Sequence, residues 1–106
     1  MSNLVKLCKT SEVEEGDPLA VYPDDLPPLA VYKIGQNFFV TNNTCTHGEA
    51  TLTAGYQEGN VIACPLHGGS FDIITGAPAS LPCRVALQCH RVTVEDDSVC
   101  IAMPNA

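Results

Sequence analysis

No window of a dozen residues in this sequence keeps apolar side chains at three-and-four spacing without a Gly or Pro breaking it, and that excludes a helical fold. Short β-like runs take the place of helices: Leu4 to Cys8, Leu19 to Tyr22, Leu29 to Ile34, Phe38 to Thr41, Val61 to Ala63, Arg91 to Val94 and Val99 to Met103. Most are rich in Val, Ile, Phe or Tyr. Turn chemistry separates them at Pro23-Asp24-Asp25, Gly35-Gln36-Asn37, Glu58-Gly59-Asn60 and Glu95-Asp96-Asp97-Ser98. The pattern predicts an all-β sandwich or barrel, and 106 residues suit a single domain, 1–106. Pro18-Leu19-Ala20-Val21-Tyr22 recurs ten residues later as Pro28-Leu29-Ala30-Val31-Tyr32, which predicts two strands of one hairpin.

Residues 43–75 depart from this pattern. They are rich in glycine and poor in long apolar runs, so something other than a hydrophobic centre must hold them together. A bound metal would do so. The stretch contains Cys45-Thr46-His47 and Cys64-Pro65-Leu66-His67, two thiols and two imidazoles on separate loops sixteen residues apart. Such a set suits borderline-soft metals. Gly48, Gly68 and Gly69 follow the histidines and let backbone N–H groups approach the ligands. Zinc could use these four donors. Zinc modules, however, usually pair cysteine with cysteine and histidine with histidine, whereas each loop here supplies one of each, which suits a centre with two non-equivalent metals.

Charge and composition narrow the function classes. Twelve acidic residues against five basic ones give −7, which opposes binding to nucleic acid or anionic lipid and favours a basic protein partner. No apolar run spans a bilayer and the N-terminus has no apolar signal region, so a cytoplasmic location is expected. In that reducing compartment six cysteines read as ligands or buried thiols rather than disulfides. Cys8, Cys83, Cys89 and Cys100 are expected to be buried thiols, and His90 a surface or half-buried strand residue. The acidic clusters read as solvated turns, and Tyr22 and Tyr32 as strand packing residues. With three histidines in all, no two-histidine, one-carboxylate iron site remains beside the four-ligand set, and no phosphate loop or nucleophile triad is present; an enzyme is not expected.

Cys45-Thr46-His47-Gly48 with Cys64-Pro65-Leu66-His67-Gly68-Gly69 resembles the Rieske [2Fe–2S] motif. The likeness extends through Glu15-Gly16-Asp17, Val40-Thr41-Asn42-Asn43, Gly55, Glu58-Gly59, Phe71-Asp72, Thr75-Gly76 and Pro82 to the small ferredoxins of bacterial aromatic-ring-hydroxylating dioxygenase systems. It implies a Rieske fold, an antiparallel β-sandwich-like base with an inserted cluster-binding subdomain at about residues 43–75. It implies one [2Fe–2S] cluster, with Cys45 and Cys64 on one iron and His47 and His67, through Nδ1, on the other. Gly76 to Pro82 would form a third loop covering it. The implied function is a soluble, monomeric electron carrier between a flavoprotein ferredoxin reductase and a terminal oxygenase in aromatic compound degradation. A Rieske-type small subunit of a nitrite reductase is the alternative, and a structural zinc module a further one.

Departures from the wider superfamily carry meaning. Where respiratory Rieske proteins have a disulfide between the cluster loops, this chain has Ala50 and Leu66; where they place a serine and a tyrosine, it has Gly69 and Phe71. Fewer hydrogen bonds to sulfur imply a potential near the lower end of the Rieske range, roughly −150 mV.

Overall fold

The computed structural model describes residues 4–24, 26–46, 50–65, 69–80 and 85–102. Among them the chain forms strands β1 Leu4–Lys9, β2 Leu19–Val21, β3 Leu29–Ile34, β4 Asn37–Asn42, β5 Tyr56–Glu58, β6 Val61–Ala63, β7 Ser70–Asp72, β8 Pro78–Ser80, β9 Cys89–His90, β10 Val92–Glu95 and β11 Ser98–Ala102. Two short 3-10 turns, Thr10–Glu12 and Leu52–Ala54, complete the regular structure. Among the described residues no helix is long and apolar enough to cross a membrane.

The strands make three antiparallel sheets, ordered β1-β11-β10, β2-β3-β4-β9 and β5-β6-β7-β8. The central member is β3. Alternate side chains of a strand point to opposite faces, and both faces of β3 are covered. Leu29 and Val31 pack with Val40, Val99, Ile101 and Cys8, on the side of the β1-β11-β10 sheet. Ala30 and Tyr32 pack with Leu52, Ile62, Phe71 and Ile73, on the side of the β5–β8 sheet. The base is therefore a pair of facing sheets. The third sheet is inserted between β4 and β9, and it runs through β8, five residues past the expected boundary at 75.

The predicted hairpin is present, with Leu19 opposite Val31 and Val21 opposite Leu29. The repeat's two tyrosines have different fates. Tyr32 is wholly buried, whereas Tyr22 lies just beyond β2 and is 65% exposed, contrary to its expected packing role. The Glu95–Ser98 turn is a two-residue hairpin turn in which Asp96 and Asp97 both adopt positive φ, a conformation aspartate tolerates. Among the expected thiols, Cys8 and Cys100 are buried and Cys89 is half-buried; Cys83 lies outside the described residues.

The Tyr32 hydroxyl lies 2.9 Å from Thr41 Oγ1, which itself donates to the Asn42 carbonyl at 2.8 Å. With the threonine proton committed, Tyr32 is the donor. Burial pushes its phenol up from 10.0 to about 12, with Cys89 adding to the rise. Above pH 10 an unfolded tyrosine ionises while the folded one does not, so stability is complete below pH 10 and falls as pH rises toward 12. A two-unit shift corresponds to about 2.7 kcal/mol. Urea midpoints measured across that window are expected to fall more steeply in the wild type than in Tyr32→Phe.

Candidate metal centre

Two loops built on one plan present the two motif cysteines. The first opens where β4 ends. Thr44 pairs with Thr51 in an antiparallel bridge, and within it the Cys45 N–H donates to the Ala50 carbonyl at 2.9 Å. The second joins β6 to β7. Ala63 pairs with Ser70, and the Cys64 N–H donates to the Gly69 carbonyl at 2.7 Å. Each cysteine is thus the first of six loop residues, its amide bonded to the sixth.

Asn43 secures the base of the first loop. Its N–H donates to the Pro28 carbonyl at 2.9 Å and its carbonyl accepts from the Leu52 N–H at 2.7 Å. Its side-chain amide donates to Thr53 Oγ1 at 3.0 Å while Oδ1 accepts from the Thr53 N–H at 2.9 Å. Four bonds on a residue 1% exposed fix where β4 delivers Cys45. The sequence does not announce this role, because Asn42-Asn43-Thr44 resembles any polar turn. The same end of β4 receives His90, whose Nε2 lies 2.8 Å from Asn42 Oδ1 and, facing a carbonyl oxygen, donates to it. Burial lowers the His90 pKa, in keeping with a neutral strand residue.

The second loop meets the chain that follows the first at Gly55. Its N–H donates to the Leu52 carbonyl at 2.8 Å, and a β-carbon there would collide with the Ala63 carbonyl while lying 3.1 Å from Pro65 Cδ. Backbone approaches backbone beside Cys64, which only glycine allows. Both thiols end in one core: Cys45 is 2% and Cys64 4% exposed, and both belong to the cluster that holds Ala50, Leu52, Ile62, Phe71, Ile73 and Leu87. His47 and His67 lie outside the described residues, as does Pro82 of the expected third loop. Part of that loop is strand rather than cover, since Pro78–Ser80 pairs with β7.

Nearby hydroxyls are engaged elsewhere. Thr46 Oγ1 donates to the Val85 carbonyl at 2.6 Å, Ser70 and Ser80 pair at 2.8 Å, and Tyr32 donates to Thr41. Among the described residues no further group of three or more metal-ligating side chains is gathered. Burial, with Glu12 and Cys100 contributing, pushes Cys8 up to about 11, and burial followed by the Asp72 charge raises Cys89. The donor set fits an iron–sulfur group: two thiols share one buried core on matched loops, each loop carrying a histidine two or three residues on.

Residues 3–91 match the Rieske [2Fe-2S] domain family. The chain is 44% identical over 98 residues to the ferredoxin CarAc of Metapseudomonas resinovorans, with 92% of each chain covered. It is similar in structure to the Sphingomonas yanoikuyae B1 ferredoxin, at a TM-score of 0.95 and 51% identity over 96% of this chain and all of that one. A chain in the complex of reduced oxygenase and oxidised ferredoxin of carbazole 1,9a-dioxygenase aligns at a TM-score of 0.89 and 42% identity, over 96% of this chain and 94% of that one. A nitrite reductase small subunit, at 23% identity and a TM-score of 0.80, shares the fold alone. Matched cysteine loops on an antiparallel base, and a family match over most of the sequence, lead to one assignment: the chain belongs to the Rieske [2Fe–2S] domain family and is a ferredoxin-like member that carries one such cluster.

Proposed function

We propose that this protein is a soluble one-electron carrier, not itself an enzyme, that receives electrons from a flavoprotein ferredoxin reductase and delivers them to a terminal Rieske non-haem iron oxygenase. Cys45 and Cys64 hold one iron and His47 and His67 the other. The observation that carries the reading is the pair of matched loops that brings Cys45 and Cys64 into one buried core. When bound, the cluster supplies a one-electron couple. The chain's own residues exclude water from the sulfurs through Leu52, Ile62, Phe71 and Leu87, and hold the loops in register through Asn43 and Gly55.

Relatives named as ferredoxins of dioxygenase systems at 39% and 44% identity favour an oxygenase over a nitrite reductase as the acceptor. The reduced thiols Cys8, Cys89 and Cys100 suit a cytoplasmic location. The unit is read as one domain over 1–106, with the cluster subdomain at 43–75 extended by β8, and the carrier works as a monomer. Low-temperature EPR of the dithionite-reduced protein tests the centre: a rhombic Rieske-type signal from a red-brown protein is expected, and a colourless, EPR-silent, zinc-containing protein would overturn the reading. Reduction by a reductase and NADH, followed by oxidation by an aromatic-ring oxygenase but not by nitrite reductase, tests the partners.

The net charge of −7 makes encounter with a basic docking face electrostatically steered. Stopped-flow association with the oxygenase is expected to slow about tenfold or more between low and physiological ionic strength. The dissociation rate should change far less.

A further inference from the structure

Among the described residues five large apolar side chains are exposed, and the most open of them, Tyr56 at 66%, stands beside a cysteine loop. It begins β5 directly opposite Ala63 in the β5–β6 ladder, and Ala63 immediately precedes Cys64. Its chain neighbour Gly55 abuts the same loop, since a β-carbon there would lie 3.1 Å from Pro65 Cδ. In the inserted sheet β5 is an edge, and no strand of that sheet lies beyond it. Alternation turns Gln57 inward, where its amide nitrogen donates to the Lys33 carbonyl at 3.2 Å and the Gly59 carbonyl at 3.0 Å. Tyr56 and Glu58 are therefore exposed together on the outer face, roughly 7 Å apart along the strand.

Charge decides what such a pair takes. Between Lys33 and Arg84 the sequence has no lysine or arginine, whereas Glu49, Glu58 and Asp72 fall within that stretch. The inserted sheet thus brings no cation of its own. Asp72 is engaged, its Oδ1 accepting from the Ile74 and Thr75 N–H groups at 2.8 and 3.1 Å. Among the described residues no cation or donor meets the Glu58 side chain. A carboxylate without an internal partner, beside an open aromatic ring, favours a positive group from outside. Guanidinium suits both members, because its plane stacks on a ring face and its paired N–H groups meet a carboxylate two at a time; a lysine ammonium does neither. Tyr22 is nearly as open, but it lies beyond the end of β2, where no strand alternation sets a carboxylate beside it.

We propose that Tyr56 and Glu58 form a docking subsite for an arginine of the protein that accepts this carrier's electrons, the ring stacking on the guanidinium and the carboxylate pairing with it. The inference rests on the reading that the protein delivers electrons to a terminal oxygenase, and it places that partner beside the Cys64 loop, on the outer face of the inserted sheet. The subsite acts differently from net charge. A charge of −7 draws a basic surface from a distance, whereas a ring and a carboxylate on one strand fix its orientation at contact. The Gln57 bonds to Lys33 and Gly59 hold β5 to the end of β3, so the pair is presented on a secured strand although that strand is an edge.

The test uses the reduced holoprotein as the varied substrate of an aromatic-ring oxygenase, with KM and kcat read separately. Tyr56→Ala is expected to raise KM about fivefold or more and to leave kcat within about twofold. Tyr56→Phe, which keeps the ring, should stay within about twofold of the wild type, whereas Tyr56→Leu, apolar but without a π face, should behave as alanine does. Glu58→Gln should raise KM about three- to tenfold and flatten its salt dependence. Glu95→Gln, on β10, removes the same unit charge from another sheet and should change KM by less than about twofold. Because one guanidinium meets both side chains, Tyr56→Ala/Glu58→Gln should fall short of the product of the single effects. Tyr56, Glu58 and Glu95 are all exposed, so each variant should keep the wild-type EPR signal of the reduced cluster. A wild-type KM from Tyr56→Ala, leucine as effective as phenylalanine, equal effects of Glu58→Gln and Glu95→Gln, an altered EPR signal, or a KM raised for the reductase alone would overturn the proposal. A reduced wild type that passes no electrons to the oxygenase would overturn the carrier reading beneath it, and the proposal with it.

Discussion

Cys64→Ser, purified under conditions that yield a red-brown wild type, is expected to be colourless and to hold almost none of its two irons; Cys45→Ser should behave the same way, and His67→Ala too. The argument is structural as much as chemical. Each cysteine occupies the first position of its six-residue loop and points into a core of only moderate size. Among the described residues between Asn42 and Ser70 the regular structure is a 3-10 turn and two three-residue strands, too little to be stable alone. Metal binding therefore contributes folding energy directly, and losing it should open residues 43–75 as well as bleach the protein. Hydrogen exchange reads this as rapid labelling of the Cys45, Leu52 and Cys64 amides, with the β1-β11-β10 amides still protected. Cys100→Ala is the control. Its thiol is buried in β11 outside the inserted sheet, so the variant should keep the wild-type spectrum and cost about 1 kcal/mol of packing. A wild-type spectrum from either cysteine-to-serine variant would mean that the cluster is held elsewhere.

The strands legible in the sequence are those whose side chains decide their own state. Leu29 to Ile34 is read with both ends correct because β3 is covered on both faces over Leu29 to Tyr32, so those four residues form an apolar run. The β5, β7 and β8 strands are not legible, for a physical reason. Tyr56-Gln57-Glu58 turns one residue inward and Ser70-Phe71-Asp72 has a single apolar residue, and one residue makes no period. Pro78-Ala79-Ser80 begins with a residue that reads as a breaker, yet Pro is tolerated at the first position of an edge strand, and β8 is an edge. These segments are strands because β6 lies between β5 and β7, and that adjacency is tertiary.

The repeated Pro-Leu-Ala-Val-Tyr segment makes the same point with composition held constant. In β3 it is central and its tyrosine is wholly buried, with a hydroxyl that finds Thr41; in β2 it is an edge and its tyrosine projects beyond the strand. Identical local sequence cannot announce which copy is central. The site divides similarly. Cys45 and Cys64 stand out in the sequence because few chemistries need a thiol and an imidazole on each of two loops. Asn43 does not, because a polar residue near a turn has many uses and the sequence does not show which backbone group it meets.

Gly55→Ala is the substitution outside the ligands expected to damage the centre most. Gly55 has φ −89°, so its conformation is open to other residues; its constraint is space. A β-carbon would collide with the Ala63 carbonyl, with the Leu52 carbonyl and Pro65 Cδ each at 3.1 Å. Ala63 sits opposite Tyr56 in the β5–β6 ladder and immediately precedes Cys64. Relief requires backbone to move, either parting β5 from β6 or displacing the Cys64 loop from the Leu52–Gly55 turn. Such overpacking against backbone should cost about 3 kcal/mol or more. Gly59→Ala separates crowding from conformation: Gly59 has φ +61° but no atom within 4 Å of the added carbon, so alanine there should cost only about 1–2 kcal/mol and leave the loops in place. Guanidinium midpoints and iron content read the two effects. Gly55→Ala should lower both, and Gly59→Ala the midpoint alone. If the two variants lost equal stability and both kept their iron, the close contact of Gly55 with Ala63 and Pro65 would not be what holds Cys64 in register.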